Sequence, residues 1–149
     1  GAVWANASRN DFNNSVADIP EDVQGSDFFI GNMIPTVIDE DRNAGAERNR
    51  KTLQGYVALP NYRNYWKQAG YTEEMEGIEA ALEAGDRDRV LTCMSDEWLS
   101  NATLYGSQDE VRQGVEEWFD QGCKTPILVP SSTSGGQMHA IQELFDCFS

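Results

Sequence analysis

Serine and glycine residues suited to binding an anion are concentrated in the segment 131–136, SSTSGG. They follow the apolar stretch 127–129 and precede a helical pattern that begins near residue 138. A loop between a buried strand and a helix gathers free backbone amides and hydroxyls, which can bind a phosphate. The alternative is a flexible loop that caps the helix. The candidate cofactor-binding residues in this loop are Ser131, Ser132, Ser134 and Gly135.

A further candidate anion-binding residue is Ser107, which opens the sequence SQDE. The hydroxyl of Ser107 can accept the amide of Glu110, and the Glu110 carboxylate can accept the amide of Ser107. Asp109 and Glu110 in this first turn also interact favourably with the positive end of the helix dipole. The cap alone is sufficient to explain Ser107, so its role in binding a ligand is the second of two interpretations.

Residues with acid–base chemistry are few, and the sequence assigns no catalytic residue. Asp39 and Asp41 follow the longest apolar run, 28–38, and are either carboxylates of a site or helix caps. His139 is the only histidine and lies beside the apolar face of its predicted helix, which favours a solvated position over a catalytic one. No Ser-His-Asp set, phosphate-binding glycine motif or metal-binding set is visible, and we predict no metal.

Three aromatic side chains recur at helical spacing and have two interpretations. Tyr62, Tyr65 and Trp66 match the buried face of a helix. The same stripe can instead cover a substrate site, so these residues are also candidate substrate-lid residues.

The elements that position these residues alternate between strands and helices. The run 28–38 predicts a strand, with a bulge or strand end at Pro35 because proline has no amide for the ladder. A helix is predicted over 107–121, with Val111, Val115, Trp118 and Phe119 on its buried face. The stretch 126–130 predicts a strand buried on both faces, followed by a helix over 137–148. This order is typical of a parallel sheet.

Composition limits the class of protein. The chain has 149 residues, long enough for one domain over 1–149, and a formal net charge of −14. Such a surface repels nucleic acid and anionic membranes, so we predict neither as a partner. The three cysteines are widely spaced, no apolar run could span a membrane and no signal peptide is visible. These features predict a cytoplasmic protein with reduced thiols.

Three segments together resemble the C-terminal part of the luciferase-like superfamily of flavin- or F420-dependent oxidoreductases. They are the segment 28–71, the stretch LYGSQDEVRQGVEEWFDQG and the strand TPILVPS. The resemblance covers residues 25 to 148, and the sequence departs from the family where Ile19-Pro20 follows Ala17-Asp18 in place of an Ala-Asp-Gly turn. Residues that match the family pattern in order are Asp39, Asp41, Tyr62, Gly70, Tyr71, Gly106, Ser107, Glu110, Val111, Gly122, Pro126 and Pro130.

The resemblance implies an α/β fold that is the C-terminal portion of a (β/α)8 barrel, helix-rich, with few parallel strands and a large helical insertion at 40–105. The strands 28–38 and 126–130 would be the seventh and eighth, and Ser107 would lie beside the serine loop at one end of the barrel. The family moves hydride or oxygen through FMN or F420 on a small-molecule substrate. Its N-terminal half, which supplies most cofactor contacts, has no counterpart in these 149 residues, so we expect this chain alone to be inactive.

An open barrel exposes apolar strand surface, which predicts self-association. We expect a homodimer or higher oligomer that buries either the aromatic stripe or a set of strand residues. Two other functions stay open, namely a non-enzymatic half-barrel oligomer and an unrelated acidic helical interaction module. The strand residues expected in the interface are Phe28, Ile30, Ile34, Ile127 and Val129.

Overall fold

A computed structural model describes residues 1–25 and 27–149 and shows a helix-rich α/β fold, as the sequence predicts. The strands are β1 (Ala2–Ala5), β2 (Ile30–Ile38), β3 (Leu104–Gly106) and β4 (Thr125–Ser131). The helices are α1 (Phe12–Ala17), α2 (Arg42–Val57), α3 (Pro60–Gln68), α4 (Thr72–Glu83), α5 (Arg87–Thr92), α6 (Asp96–Ala102), α7 (Gln108–Asp120) and α8 (Gln137–Phe148). Among the residues described, no helix is both long and apolar enough to cross a membrane.

All four strands are parallel, and β2 lies at the centre of the sheet. On one side β2 pairs with β1 through residues 30–33 and with β3 through residues 36–38. On the other side it pairs with β4 through residues 31–37. The predicted parallel pairing of 28–38 with 126–130 is therefore confirmed. The segment predicted as a helical insertion contains α2 to α6 together with β3.

Pro35 lies inside β2, opposite Val129, and not at the strand end or bulge that its missing amide predicted. The carbonyl of Met33 accepts a hydrogen bond from just after β1, and the amide of Asp39 donates to β3. The odd-numbered residues of β2 therefore direct their backbone groups to the side of β1 and β3. Pro35 shares this parity and falls between the last pair with β1 and the first pair with β3. Its missing amide therefore costs no ladder hydrogen bond.

The strand β4 forms an edge of the described sheet. Its residues from Pro126 onward are half-exposed, whereas the sequence predicted a strand buried on both faces. Asn32 and Thr36 of β2 face β4 and lie opposite Pro126 and Pro130. In a parallel ladder a residue bonds to the two neighbours of its partner, so residues 125, 127, 129 and 131 of β4 bond to β2. The backbone groups of both prolines therefore point to the free edge. Prolines at an edge hinder the addition of another strand.

The helices α2 to α6 form a core of their own at the carboxyl end of the sheet. Leu53, Trp66, Ile78 and Trp98 have no exposed surface in this cluster. The rings of Trp66 and Trp98 meet edge to face with centroids 5.0 Å apart, a favoured aromatic geometry. Tyr65 packs against this cluster and also against the core beneath the sheet. The insertion is therefore joined to the sheet through shared side chains.

One face of the sheet is covered by helices along its length. The other is covered only at its carboxyl end, where Val37 and Tyr105 pack beneath α2. Ile30 and Ile34 of β2 pack with Phe12 of α1 and Trp118 of α7. On the opposite face Val3 is 56% exposed and Met33 is 40% exposed. We call the uncovered part of this surface the open face; its apolar residues are Val3, Ala5, Phe29, Met33, Ile127 and Val129. The strands are therefore covered on both faces at their carboxyl ends and on one face only elsewhere.

Two expectations about buried side chains are also corrected. Phe119 was placed on the buried face of α7 but is 45% exposed, because Val111, Val115 and Trp118 already fill the contact with the sheet. Ile30 and Ile34 were expected in an interface between copies, but they are 1% and 0% exposed in the chain's own core.

Candidate functional site

The serine loop lies where a parallel-sheet protein places its site, at the carboxyl ends of β2 and β4. A cavity of about 380 Å³ opens there between Asp39 after β2, Ser134 after β4 and Gln108 at the start of α7. Residues from separate parts of the chain meet because the carboxyl ends of parallel strands share one edge of the sheet. The complete lining is Ile38, Asp39, Glu40, Gln108, Thr133, Ser134, Glu143 and Asp146.

Asp39 ties the strand ends of this site together. Its amide donates to the carbonyl of Gly106 at 2.8 Å, and its carboxylate accepts a hydrogen bond from the hydroxyl of Thr133. The other carboxylate oxygen accepts the amide of Asp41 at 2.7 Å. Asp41, and not Asp39, caps α2 by accepting the amides of residues 43 and 44. The two acidic residues that the sequence could not separate therefore have different roles.

Within the serine loop, Ser132 and Ser134 bond to each other. Ser132 is buried, and its hydroxyl accepts the amide of Ser134 at 3.2 Å. The two hydroxyls lie 3.4 Å apart. Ser131 is the last residue of β4, and Gly135 is exposed before α8 begins. Some polar groups of the loop are therefore engaged in hydrogen bonds within the loop, and fewer are free to bind a ligand than its composition suggests.

A hydroxyl, an imidazole and a carboxylate meet at the start of α8, which sequence reasoning missed. Nε2 of His139 lies 3.2 Å from Oγ of Ser134 and 3.3 Å from Oε1 of Glu143. In a catalytic triad the serine and the carboxylate contact opposite ring nitrogens. Here both contact the same nitrogen, so the group cannot relay a proton between them. The i, i+4 spacing of His139 and Glu143 was the visible signal for this contact.

The charge of the cavity disfavours a phosphate. Four carboxylates line it, and no lysine or arginine is among the described lining residues. A phosphate dianion placed beside Thr133 would be repelled by the carboxylate of Asp39, which accepts the Thr133 hydroxyl. The residues of this cavity therefore do not fit the phosphate of a flavin or of F420. In residues 1–25 and 27–149 no group of three His, Cys, Asp or Glu side chains could hold a metal ion. The four carboxylates are Asp39, Glu40, Glu143 and Asp146.

Ser107 lies at the same end of the sheet as the serine loop, as expected, and forms the predicted capping box. Its hydroxyl accepts the amide of Glu110 at 3.3 Å, and its own amide donates to the Glu110 carboxylate at 2.8 Å. That backbone hydrogen bond, together with the charge of Arg42, lowers the pKa of Glu110 below its ordinary value. Both polar groups of Ser107 are thus engaged in the helix cap.

The aromatic stripe lies in the core of the insertion. Trp66 has no exposed surface, and its indole nitrogen donates to the carbonyl of Asn6 at 3.1 Å. The hydroxyl of Tyr65 accepts the amide of Ser8 at 2.9 Å. Tyr62 is partly buried, and its ring centroid lies 5.6 Å from that of Trp66. These contacts fasten the insertion to the chain's first residues, and the lid role stays a prediction.

A second cavity, of about 260 Å³, lies between β3, α6 and α7 and includes residues that the sequence did not indicate. The guanidinium of Arg42 lies 4.6 Å from the ring centroid of Tyr105, close enough for a cation–π contact. Arg9 and Glu117 form an ion pair across the cavity at 2.7 Å. Each arginine of this cavity already has a carboxylate partner, so the lining is close to neutral.

Comparisons of the chain with models of known families, with curated protein sequences and with solved structures each returned no match.

Proposed function

We propose that this chain is the late-strand part of a (β/α)8-barrel oxidoreductase similar to the luciferase-like superfamily. In such an enzyme FMN or F420 would carry hydride or oxygen chemistry on a small-molecule substrate. The chain would contribute the last strands, the helical insertion and one wall of the site. Another segment of polypeptide, in the same or a different molecule, would contribute the cofactor contacts. By itself the chain would be inactive.

The observation that carries the proposal is a parallel sheet with one face uncovered over its amino-terminal part. Parallel sheets normally have both faces covered. Here Ile30 and Ile34 are buried under α1 and α7, whereas Val3 and Met33 on the opposite face are exposed. In a closed barrel the second face is the interior, packed by side chains from the other strands. Half of such a barrel would have parallel strands whose second face is uncovered in this way.

The negative charge of the cavity at the serine loop argues against contact between this chain and the phosphate of the cofactor. The carboxylates of Asp39 and Glu40 oppose a phosphate at the carboxyl ends of β2 and β4. The proposal therefore places the phosphate contacts on the complementing segment, as the resemblance implies. The serine loop would then border the site without binding the phosphate.

The test begins with recovery of the tagged chain under native conditions from the cells that produce it. Small molecules released by heating are identified by absorbance and by mass. Recovery of FMN or F420, together with a co-purifying segment rich in strands, would support the proposal. A colourless preparation that binds neither added FMN nor added F420 in the presence of its native partners would remove it.

A labelling measurement on the same preparation tests whether another segment covers the open face. In a Cys93→Ser background, a Met33→Cys variant should react with a maleimide when the chain is isolated and be protected in the native assembly. Leu59→Cys, at a position that is 46% exposed and outside the sheet, should react in both states. Equal reactivity of Met33→Cys in both states would mean that nothing covers the open face.

A second candidate function is a half-barrel that assembles with itself and has no activity. The observation that favours it is a row of exposed apolar side chains on α8, where Met138 is 78% exposed and Phe145 is 69% exposed. A stable oligomer that binds no cofactor would distinguish it from the oxidoreductase.

A further inference from the structure

The outer side of α8 carries an apolar row that the fold does not use. Met138, Phe145 and Phe148 are exposed, and Ile141 is half-buried. Their spacing of i, i+3, i+7 and i+10 keeps them on one side of the helix, as at the a and d positions of a coiled coil. We call these four residues the α8 stripe. Large apolar side chains that stay in water are typical of a surface that binds another protein.

The helix that bears the stripe is firmly attached to the rest of the chain. Ala140 and Cys147, on the opposite side of α8, are 1% and 2% exposed. The guanidinium of Arg112 in α7 donates to the carbonyl of Cys147 at 2.7 Å, and the Cys147 thiol lies 3.5 Å from the carbonyl of Gln108. The stripe is thus displayed on a fixed helix, which lowers the entropy cost of binding.

The charges around the stripe favour a second copy of this chain as the occupant. The chain carries a net charge of −14, so two copies repel each other over most of their surface. The stripe itself has no charged residue. The positions that flank it on either side of the helix are also uncharged, while Glu143 and Asp146 lie outside these flanks. A neutral surface can meet a copy of itself without like-charge repulsion. The flanking residues are Gln137, Gln142 and Leu144.

The order of the residues also suits pairing with itself. When two copies of α8 run antiparallel about a two-fold axis near residue 143, Met138 of one copy lies opposite Phe148 of the other, and Ile141 lies opposite Phe145. Each layer then combines an aromatic ring with an aliphatic side chain. This arrangement is the isologous contact that closed dimers use. The edge of β4 is less suitable for assembly, because Pro126 and Pro130 face it.

We propose that the chain forms a homodimer through antiparallel packing of the α8 stripe. This interface differs from the surfaces expected from the sequence, since Ile30, Ile34 and Trp66 are buried within each chain. The dimer requires no cofactor and is independent of the proposed oxidoreductase function.

The experiment is light scattering behind size exclusion, at concentrations from low micromolar downward, in a cofactor-free buffer. The wild-type chain should have twice its monomer mass of 16.6 kDa. Phe145→Glu places a charge in the centre of the interface and should raise the dissociation constant about thirtyfold or more, the loss typical of a central interface residue. Phe119→Glu is the matched control, because Phe119 is an exposed phenylalanine on α7 outside the stripe, and this variant should remain dimeric.

Circular dichroism on each variant separates dissociation from unfolding. Since Phe145 lies on the surface, we expect native helicity in the monomeric variant. If Phe145→Glu fails to fold, Met138→Glu at the more exposed end of the stripe replaces it. A wild-type monomer, or a dimer that survives both stripe variants, would overturn the proposal. So would a dimer that Phe119→Glu dissociates, since the interface would then lie on α7.

Discussion

The carboxylate of Glu110 lies 3.0 Å from the guanidinium of Arg42 and joins the first turn of α7 to the first turn of α2. The same carboxylate accepts the amide of Ser107, and the same guanidinium lies over the ring of Tyr105. Both helices begin at the carboxyl edge of the sheet, so this one pair fixes the insertion relative to the strand ends. Because both side chains are about half exposed, the contribution of the pair to stability is modest.

The pH dependence of stability should report on Glu110. Its pKa is lowered in the folded chain by the Ser107 amide and by Arg42, from an ordinary value of 4.5. A lowered folded-state pKa gives stability that is present above the unfolded value and is lost as the pH falls through the folded value. Glu110→Gln should therefore flatten the loss of stability below about pH 4.5 and cost about 0.2–1 kcal/mol at pH 7. Urea unfolding between pH 3 and pH 7 measures both effects, and Glu116→Gln on the exposed side of α7 should leave the wild-type slope unchanged.

Two glycine-to-alanine changes should have opposite signs. Gly106 has φ +126°, and a Cβ there would collide with the carboxylate of Glu110. Gly106→Ala should lower the free energy of unfolding by more than about 1 kcal/mol. Gly55 lies inside α2 with open space around it, so Gly55→Ala should raise the free energy of unfolding by about 0.5–1 kcal/mol. Chemical denaturation of both variants measures the difference. Stabilisation by Gly106→Ala would contradict the described geometry at the end of β3.

The two apolar cores should unfold as one unit because Tyr65 packs against both. Leu53→Ala in the helical core and Ile34→Ala beneath the sheet should each cost about 2–5 kcal/mol. Each variant should keep a single transition when monitored by circular dichroism and by tryptophan fluorescence. Leu59→Ala, at an exposed position, should change stability by less than about 0.5 kcal/mol. Separate transitions in Leu53→Ala would show that the insertion and the sheet are independent.

Salt should stabilise the fold. The formal net charge of −14 produces repulsion among surface carboxylates, and raising the ionic strength shortens the range of this repulsion. We expect the melting temperature to rise between 0.05 and 1 M NaCl, with a gain of about 1 kcal/mol raising it by roughly 3–4 °C. Differential scanning calorimetry measures this change. Potassium chloride should act equally, because screening does not depend on the identity of the cation, and a fall in melting temperature would mean that surface ion pairs dominate.

The sequence by itself determined the features that depend on neighbouring residues. Three features are each recognised within a few residues, and the structure contains all three. They are the capping box of Ser107 and Glu110, the left-handed Gly122 just after α7 and the short apolar strand before the serine loop. Local hydrogen bonding and backbone conformation decide such features, so no distant contact is needed to find them. The parallel pairing of β2 and β4 also followed from the order of strands and helices.

Tertiary structure alone decided which apolar surface is buried and which polar groups meet. Phe119 and Phe145 fit the helical pattern as well as Trp118 does, yet only Trp118 faces the sheet, because the number of contacting positions is limited by the width of the packing surface. Pro35 is tolerated in the central strand because two neighbouring strands leave a gap beside it. The contact of Asp39 with Thr133 and that of Arg42 with Glu110 join residues separated by 94 and 68 positions. Only the fold brings such pairs together, and it makes the serine loop part of an acidic cavity.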